Sequence, residues 1–409
     1  MKKALIIGGG FAGCAAAHQM SLLNDGWEID LVERAPFLGG GVKTHWRGGH
    51  PFTFGPRHFL TPRNTEFLFD YLNAIVPMRV LDHEFITYVE ADRNYYNFPI
   101  HKDDIPRMPD REQIEAEISE AQKLEGWKKA KSFEEYWIAS IGKTLYGKMV
   151  DKYSRKMWQV ESNAMLDDFG WSPKGVAIKE GPREGWDTAI SAYPLATDGY
   201  DHYFDVATAD VNVKLKTEIE AFDVENKRVQ IAGELHVYDL IITTVSPDML
   251  LNFRYGELPY VGREFLTIIL PTEYAFPENV YFTYYAGDEP YTRIVEYKKF
   301  TQHQAPSTLL GIEIPSHKNK LYPLPIREHI RTAYKYFADL PEGVVCMGRA
   351  GSYKYIDIDD IIYQAMKMAE EVKAGGLDHP VPVYGADMHA ANLLTQTMVD
   401  QGVVPEGVG

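Results

Sequence analysis

Residues 3–33 read KALIIGGGFAGCAAAHQMSLLNDGWEIDLVE, and this stretch decides the fold. Lys3 to Ile7 are apolar and β-prone. Gly8, Gly10 and Gly13 then fit G-x-G-x-x-G, Ala12 to Leu23 predicts a helix, and Glu28 to Glu33 predicts a second strand ending on an acid. Each glycine has its own physical task. Gly8 allows a tight turn. Gly10 lets a pyrophosphate approach the backbone of the turn it forms with Phe11 and Ala12. Gly13 lets helix and strand pack closely. Free N–H groups at the helix N-terminus then face the phosphates. Glu33 stands 20 positions after Gly13, where a carboxylate accepts from a ribose hydroxyl. The combination predicts a dinucleotide-binding, Rossmann-like unit in an α/β protein.

Arg34 to Leu38 make a short turn, and Gly39-Gly40-Gly41 follows. This second glycine run again brings backbone close to something large. Behind a Rossmann unit it resembles the second glycine motif of two-dinucleotide-fold flavoproteins, which moves the expected cofactor from NAD to FAD.

The chain has 409 residues, enough for two or three domains. A net charge of −16 argues against nucleic acid and anionic membranes as partners, because both reward a basic surface. No run of about 18 apolar residues predicts a membrane span. Met1-Lys2-Lys3 and the Cys14 that follows Phe11-Ala12-Gly13 imitate a secretory leader with a lipoprotein site, but cleavage there would destroy the glycine turn. The two isolated cysteines, Cys14 and Cys346, suit a reducing cytoplasm and predict neither a disulfide framework nor a metal site.

Further along, Glu66 to Val76, Arg111 to Leu124 and Ser132 to Met149 have helical apolar faces, the last with Ser132 as N-cap and Glu135 at the capping-box position. Thr217 to Val237 reads as a meander, and Asp239 to Pro247 as a buried strand. Phe265 to Ile314 predicts antiparallel strands. Ile358 to Val372 predicts a helix. Residues 170–202 fit no pattern, and residues from Ala374 onward read as a tail.

Several blocks then carry a resemblance. Tyr291-Thr292-Arg293-Ile294-Val295-Glu296-Tyr297-Lys298 is similar to the P-Y-T-R-I-I-E-H-K signature of the UDP-galactopyranose mutase family. Gly348 to Asp357, GRAGSYKYID, resembles its G-R-x-x-x-Y-K-Y-Y-D. Asn252 to Gly256 resembles D-Y-R-F-G, Tyr153 to Trp158 resembles Y-T-E-K-Q-W, and Tyr96 to Pro99 resembles F-N-L-P. The blocks occur in family order from Gly8 to about Val372.

The resemblance implies an FAD-binding Rossmann-like domain (residues 1–64, 204–255 and 340–373), a helical insertion (100–170), an antiparallel-sheet substrate domain (65–99, 171–203 and 256–339) and a C-terminal tail (374–409). It implies a cytoplasmic homodimeric isomerase that interconverts pyranose and furanose forms of a nucleoside-diphosphate sugar, supplying galactofuranose for cell-surface glycoconjugates. The resemblance further implies that FAD is reduced and that its N5 attacks the anomeric carbon and displaces the diphosphate. Arg293, Arg254, Tyr322 and Tyr353 are the implied diphosphate ligands. Arg349, Val213 and the helix start at Asp357 and Ile358 are implied at the flavin. Tyr153, Trp158 and Asn97 are implied at the nucleotide.

The chain also departs from the family. Where members carry G-A-H-I-F-H-T, it has Gly55-Pro56-Arg57-His58-Phe59-Leu60-Thr61, so Arg57 and His58 enter as candidates of their own. The family's R-I-P-V-R-F arginine has no clean counterpart; Lys174, Lys179 and Arg183 are the nearby cations. Three alternatives stay open. One is an amine-oxidase-like FAD oxidoreductase. Another is the same mutase reaction on GDP- or dTDP-sugars. The third, suggested by the lost histidines, is a catalytically silent homologue that binds FAD and nucleotide.

Overall fold

A computed structural model describes residues 2–169, 178–377 and 380–382. β1 (Lys2–Ile7) and β2 (Trp27–Val32) lie parallel, joined by α1 (Phe11–Leu22). They belong to a five-stranded parallel sheet ordered Asn212–Lys214, β2, β1, Leu240–Thr243 and Val344–Cys346. α1 is buried along most of its length against this sheet and the helix Ile358–Ala374, and Ala15, Ala16 and Ala17 allow the close approach. The glycines behave as their spacing predicts. A Cβ on Gly13 would sit 1.8 Å from the Gly8 carbonyl oxygen. Gly8 itself has φ +97°, and a Cβ there would meet Thr244 Oγ1 at 2.2 Å.

The second large sheet has seven strands. Their order is Tyr322–Pro323, Tyr260–Leu270, Thr308–Ser316, Arg293–Glu296, Val280–Tyr285, Glu84–Val89 and Asn94–Phe98. It is antiparallel as expected, except that Glu84–Val89 runs parallel to Val280–Tyr285, because that strand arrives as half of a separate hairpin. Register matters here. Phe265 pairs with Glu313, Glu313 with Arg293, Arg293 with Tyr284, and Tyr284 with Thr87. Directly paired residues share a face, so these five form one row across the sheet.

Smaller sheets are built from 219–223, 228–231 and 234–237, and from 59–62, 189–194 and 78–80. The helical part comprises Arg111–Leu124, Phe133–Ile141, Lys143–Met149 and Asp151–Trp158. The single helix expected over 132–149 is therefore two. It breaks at Gly142, with φ +82°, where a Cβ would strike Glu117. The Glu117 carboxylate instead accepts from the Thr144 N–H and hydroxyl, at 2.8 and 2.9 Å. Ser132 caps as expected, accepting from the Glu135 N–H at 3.2 Å.

The last helix runs to Ala374 and ends on Gly375 in the left-handed region, later than the sequence pattern implies. Beyond it, the Cys346 N–H donates to the Pro380 carbonyl at 2.7 Å. Lys174 and the tail features Tyr384, His389 and 393–398 lie outside the described residues. Among the described residues no helix is long and apolar enough to cross a membrane.

Candidate active site

The two glycine motifs meet. The Gly39 N–H donates to the Gly9 carbonyl at 2.7 Å, and Gly10 and Gly39 form a bridge. A Cβ on Gly40 would lie 3.3 Å from Gly10 Cα. At Gly10 the opposite holds: an added Cβ meets nothing within 4 Å. The α1 N-terminus beside it has no side-chain cap and no acid in its first turn. Free N–H groups, a dipole end and open space are what a pyrophosphate needs. Glu33 accepts from the Gly9 and Ala35 N–H groups, each at 2.7 Å, so its first task is to hold the turn. A carboxylate has lone pairs left for a ribose after that. Arg34 is exposed beside it, and Val213 stands opposite Leu31 on the edge strand. Asp357 and Asp360 form a capping box that starts the helix Ile358–Ala374.

Two cavities adjoin this region. One, of about 350 Å³, is lined by Phe11, Gly41, Arg57, His58, Arg349, Asp357 and Ile358 among others. The other, of about 340 Å³, is lined by Phe133, Trp137, Met149, Tyr153, Met157 and Arg263 among others, under the helical part. Phe85, Trp186, Tyr284, Arg293, Tyr322 and Tyr355 line both.

Arg293 lies in that shared wall. It binds Glu313 through two bonds, Nε to Oε1 at 2.9 Å and one Nη to Oε2 at 2.8 Å, and lies over the Phe282 and Tyr284 rings. Burial works against its charge, but Glu313 outweighs that and the guanidinium stays protonated. Tyr322 lies between Arg263 and Arg349, whose guanidinium carbons are 4.6 and 4.8 Å from its ring centre, and its ring stacks on Tyr355. Burial pushes the Tyr322 phenol up, yet the charges of Arg57, Arg349 and Arg263 overcome it and bring the pKa down to about 8.

This has a testable consequence. Below pH about 8 Tyr322 is a neutral O–H donor facing the cations; above it, a phenolate competes with any diphosphate for the charge of Arg263. Binding an anion favours the protonated phenol, so nucleoside-diphosphate affinity is expected to fall by up to about tenfold per pH unit above that pKa. Titrations monitored by tryptophan fluorescence between pH 6 and 9.5 read this directly, and Tyr322→Phe should flatten the alkaline limb.

The structure thus brings together Arg293, Tyr322, Arg349, Arg57, His58, Tyr153, Phe11, Asp357 and Ile358. Four sequence candidates lie elsewhere. Arg254 is exposed and paired with Asp339 at 2.7 Å, because its loop packs on the helix Arg327–Ala338 and not on the sheet. Arg254→Ala should therefore leave kcat/KM within about twofold, as expected of an exposed ion pair. Tyr353 points into a core, donating to the Pro259 carbonyl at 2.8 Å. Trp158 is fully buried and supports Tyr322 and Tyr355 edge-on, which makes it backing for the wall and not a surface for a base. Asn97 is engaged by Glu84 and Arg183. His58 remains on a cavity wall, but burial, then the Arg293 charge, drives its pKa down to about 4, so it is a neutral ring at pH 7.

Sequence reasoning missed Arg263, Tyr284, Tyr355 and Trp186. Arg263 had a signal: a charge two residues before Phe265 on a β-prone segment, hence on the same face as the Glu313–Arg293 row. Tyr355 stands inside the Gly348–Asp357 block and lines both cavities. Trp186 falls in the stretch without a pattern. Of the cations near the absent loop arginine, the two among the described residues are otherwise engaged. Lys179 binds the Glu184 carbonyl and Asp187; Arg183 binds Asn97 and Asp104.

Known proteins resemble this chain in sequence and in fold. A family model described as UDP-galactopyranose mutase matches residues 148–355, and one for an NAD(P)-binding Rossmann-like domain matches residues 6–75. A probable UDP-galactopyranose mutase of Klebsiella pneumoniae is 23% identical, over 90% of this chain and 94% of that one. A dTDP-fucopyranose mutase of Escherichia coli is 22% identical, over 90% and 98%. The crystal structure of a reduced UDP-galactopyranose mutase shares the fold, with a TM-score of 0.77 at 16% identity and 97% coverage of both chains.

Proposed function

The chain belongs to the UDP-galactopyranose mutase family, and on that premise we propose that it interconverts the pyranose and furanose forms of a nucleoside-diphosphate sugar. The observation that carries this reading is the wall shared by the two cavities, with Arg293 and Tyr322 in it. A cofactor on one side and a nucleotide sugar on the other would meet at those groups.

FAD fits the cofactor side. Gly8, Gly10 and Gly13 with the α1 N-terminus would hold its pyrophosphate and Glu33 a ribose, with Gly39 and Gly40 closed over the turn. Bound and reduced, FAD supplies a nucleophile, N5, for the anomeric carbon. The chain's own residues do the rest. Arg293 and Arg263 hold the diphosphate while it is detached, with Tyr322 donating to it, and none of them has to reorganise when charge develops. Glu313 locks Arg293 in place. Phe85, Trp186 and Tyr284 keep water from the reacting centre. Tyr153, with Phe133, Trp137 and Met157, forms the apolar end of the second cavity that takes the base.

The relatives' names cover two sugars and two bases. Arg57 and Leu60, which stand where the resemblance expects histidines, line the cofactor-side cavity. The test is a panel of UDP-, dTDP- and GDP-hexopyranoses incubated with dithionite-reduced protein. Furanose product without net consumption of reductant supports the proposal. Bound, reduced flavin with no furanose from any donor sinks it.

A further inference from the structure

Four cations line the cofactor-side cavity: Arg57, Arg293, Lys320 and Arg349. Three of them have a carboxylate close by. Arg293 has Glu313 at 2.8 Å, Arg349 has Asp357 at 2.8 Å, and Lys320 has Asp248 at 3.1 Å and Glu257 at 3.4 Å. Arg57 has none within ion-pair distance among the described residues, and its buried Nε has no hydrogen-bond partner. Its place is also distinctive. A Cβ on Gly41, in the second glycine motif, would lie 3.5 Å from an Arg57 Nη, and Arg57 lines the cofactor-side cavity but not the nucleotide-side one. Arg263 shows the reverse distribution.

A half-buried guanidinium with no ion-pair partner among the described residues is costly unless a ligand supplies one. The diphosphate already has Arg263 and Arg293 on its own side. Two negative groups remain in such a site: FAD's own pyrophosphate, which the α1 N-terminus already faces, and the isoalloxazine once it is reduced. Reduction adds two electrons and one proton, taken from a two-electron donor such as a reduced pyridine nucleotide, and leaves one net negative charge on the isoalloxazine. Resting on the reading that this chain holds FAD in that cavity, we infer that Arg57 is the positioned counter-cation of the reduced flavin and biases the bound cofactor toward its reduced form. Its effect is on the oxidation state of the cofactor and not on the grip on the nucleotide.

The test is the midpoint potential of the bound flavin, measured without substrate in the wild-type holoprotein, Arg57→Lys and Arg57→Gln. Arg57→Gln should disfavour the reduced form by about tenfold, equivalent to about 30 mV for a two-electron couple. Arg57→Lys keeps the charge and should stay within about threefold. UDP and dTDP affinities should change less than twofold in both variants. An unchanged potential with a tenfold loss of UDP and dTDP affinity would overturn the inference and place Arg57 on the substrate. Should Arg57→Gln release flavin, the dissociation constants of oxidised and reduced FAD carry the same information. Selective weakening of the reduced form supports the inference, and equal weakening of both overturns it. Because the potential is read without a sugar, an inactive protein with an Arg57-dependent potential refutes the mutase proposal alone.

Discussion

Arg293→Ala is expected to lower kcat by about 10²–10³-fold, the loss seen when one preorganised donor to a developing anion is removed. The position explains the size. Arg293 lies in the wall common to both cavities, so it can touch the diphosphate before and after the bond to the sugar breaks. It is held by two bonds to a carboxylate that is 1% exposed. The same substitution leaves Glu313 buried without its partner, which costs about 3–5 kcal/mol in stability. The two effects separate with Arg293→Lys. A lysine keeps the charge beside Glu313 but loses the fork geometry. That variant should recover most of the melting temperature and little of the turnover. Measuring kcat and thermal unfolding on both variants checks this; near-wild-type turnover in Arg293→Ala contradicts the assigned role.

The second large effect comes from the opening glycines, which should respond in different ways to the same added methyl. Gly10 has φ −70° and ψ −176°, ordinary extended backbone, and a Cβ there enters open space. Gly10→Ala should therefore fold with an unchanged melting temperature as apoprotein and emerge from purification without flavin. Gly13→Ala drives a Cβ to within 1.8 Å of the Gly8 carbonyl and forces α1 away from β1. Overpacking of that kind costs about 1–3 kcal/mol or more, so this variant should lose stability whether or not flavin is added. Absorbance near 450 nm after gel filtration, with calorimetry of the apoproteins, distinguishes the two. Full flavin retention by Gly10→Ala would mean that the cradle does not hold the pyrophosphate.

These contrasts show why some of the site was legible in the sequence and some was not. The glycine turn is local: three residues, one helix and one acid specify it, and any chain with that spacing must solve the same steric problem. Arg293 was legible because its whole block is distinctive. Arg254 was misplaced because a short motif fixes a residue's neighbours in the chain and says nothing of which element its loop packs against. Here it meets Asp339 on the surface. Trp158 was misplaced for a related reason. An aromatic on a helix turns toward a core or a ligand according to the rings behind it, and Tyr322 and Tyr355 come from far along the chain. Arg263 becomes visible only through register, since it is the pairing of Phe265 with Glu313 that puts it beside Arg293.

The most direct measurement is positional isotope exchange in the nucleoside-diphosphate sugar. A substrate is labelled with oxygen-18 at the bridge between the anomeric carbon and the β-phosphate. If that bond breaks while Arg263, Arg293 and Tyr322 retain the diphosphate, the label scrambles into the non-bridging β-phosphate positions of recovered substrate. Scrambling should require reduced flavin and should fall in Arg293→Ala in step with turnover. Furanose formed with the label still wholly at the bridge would contradict a detached diphosphate held in the shared wall.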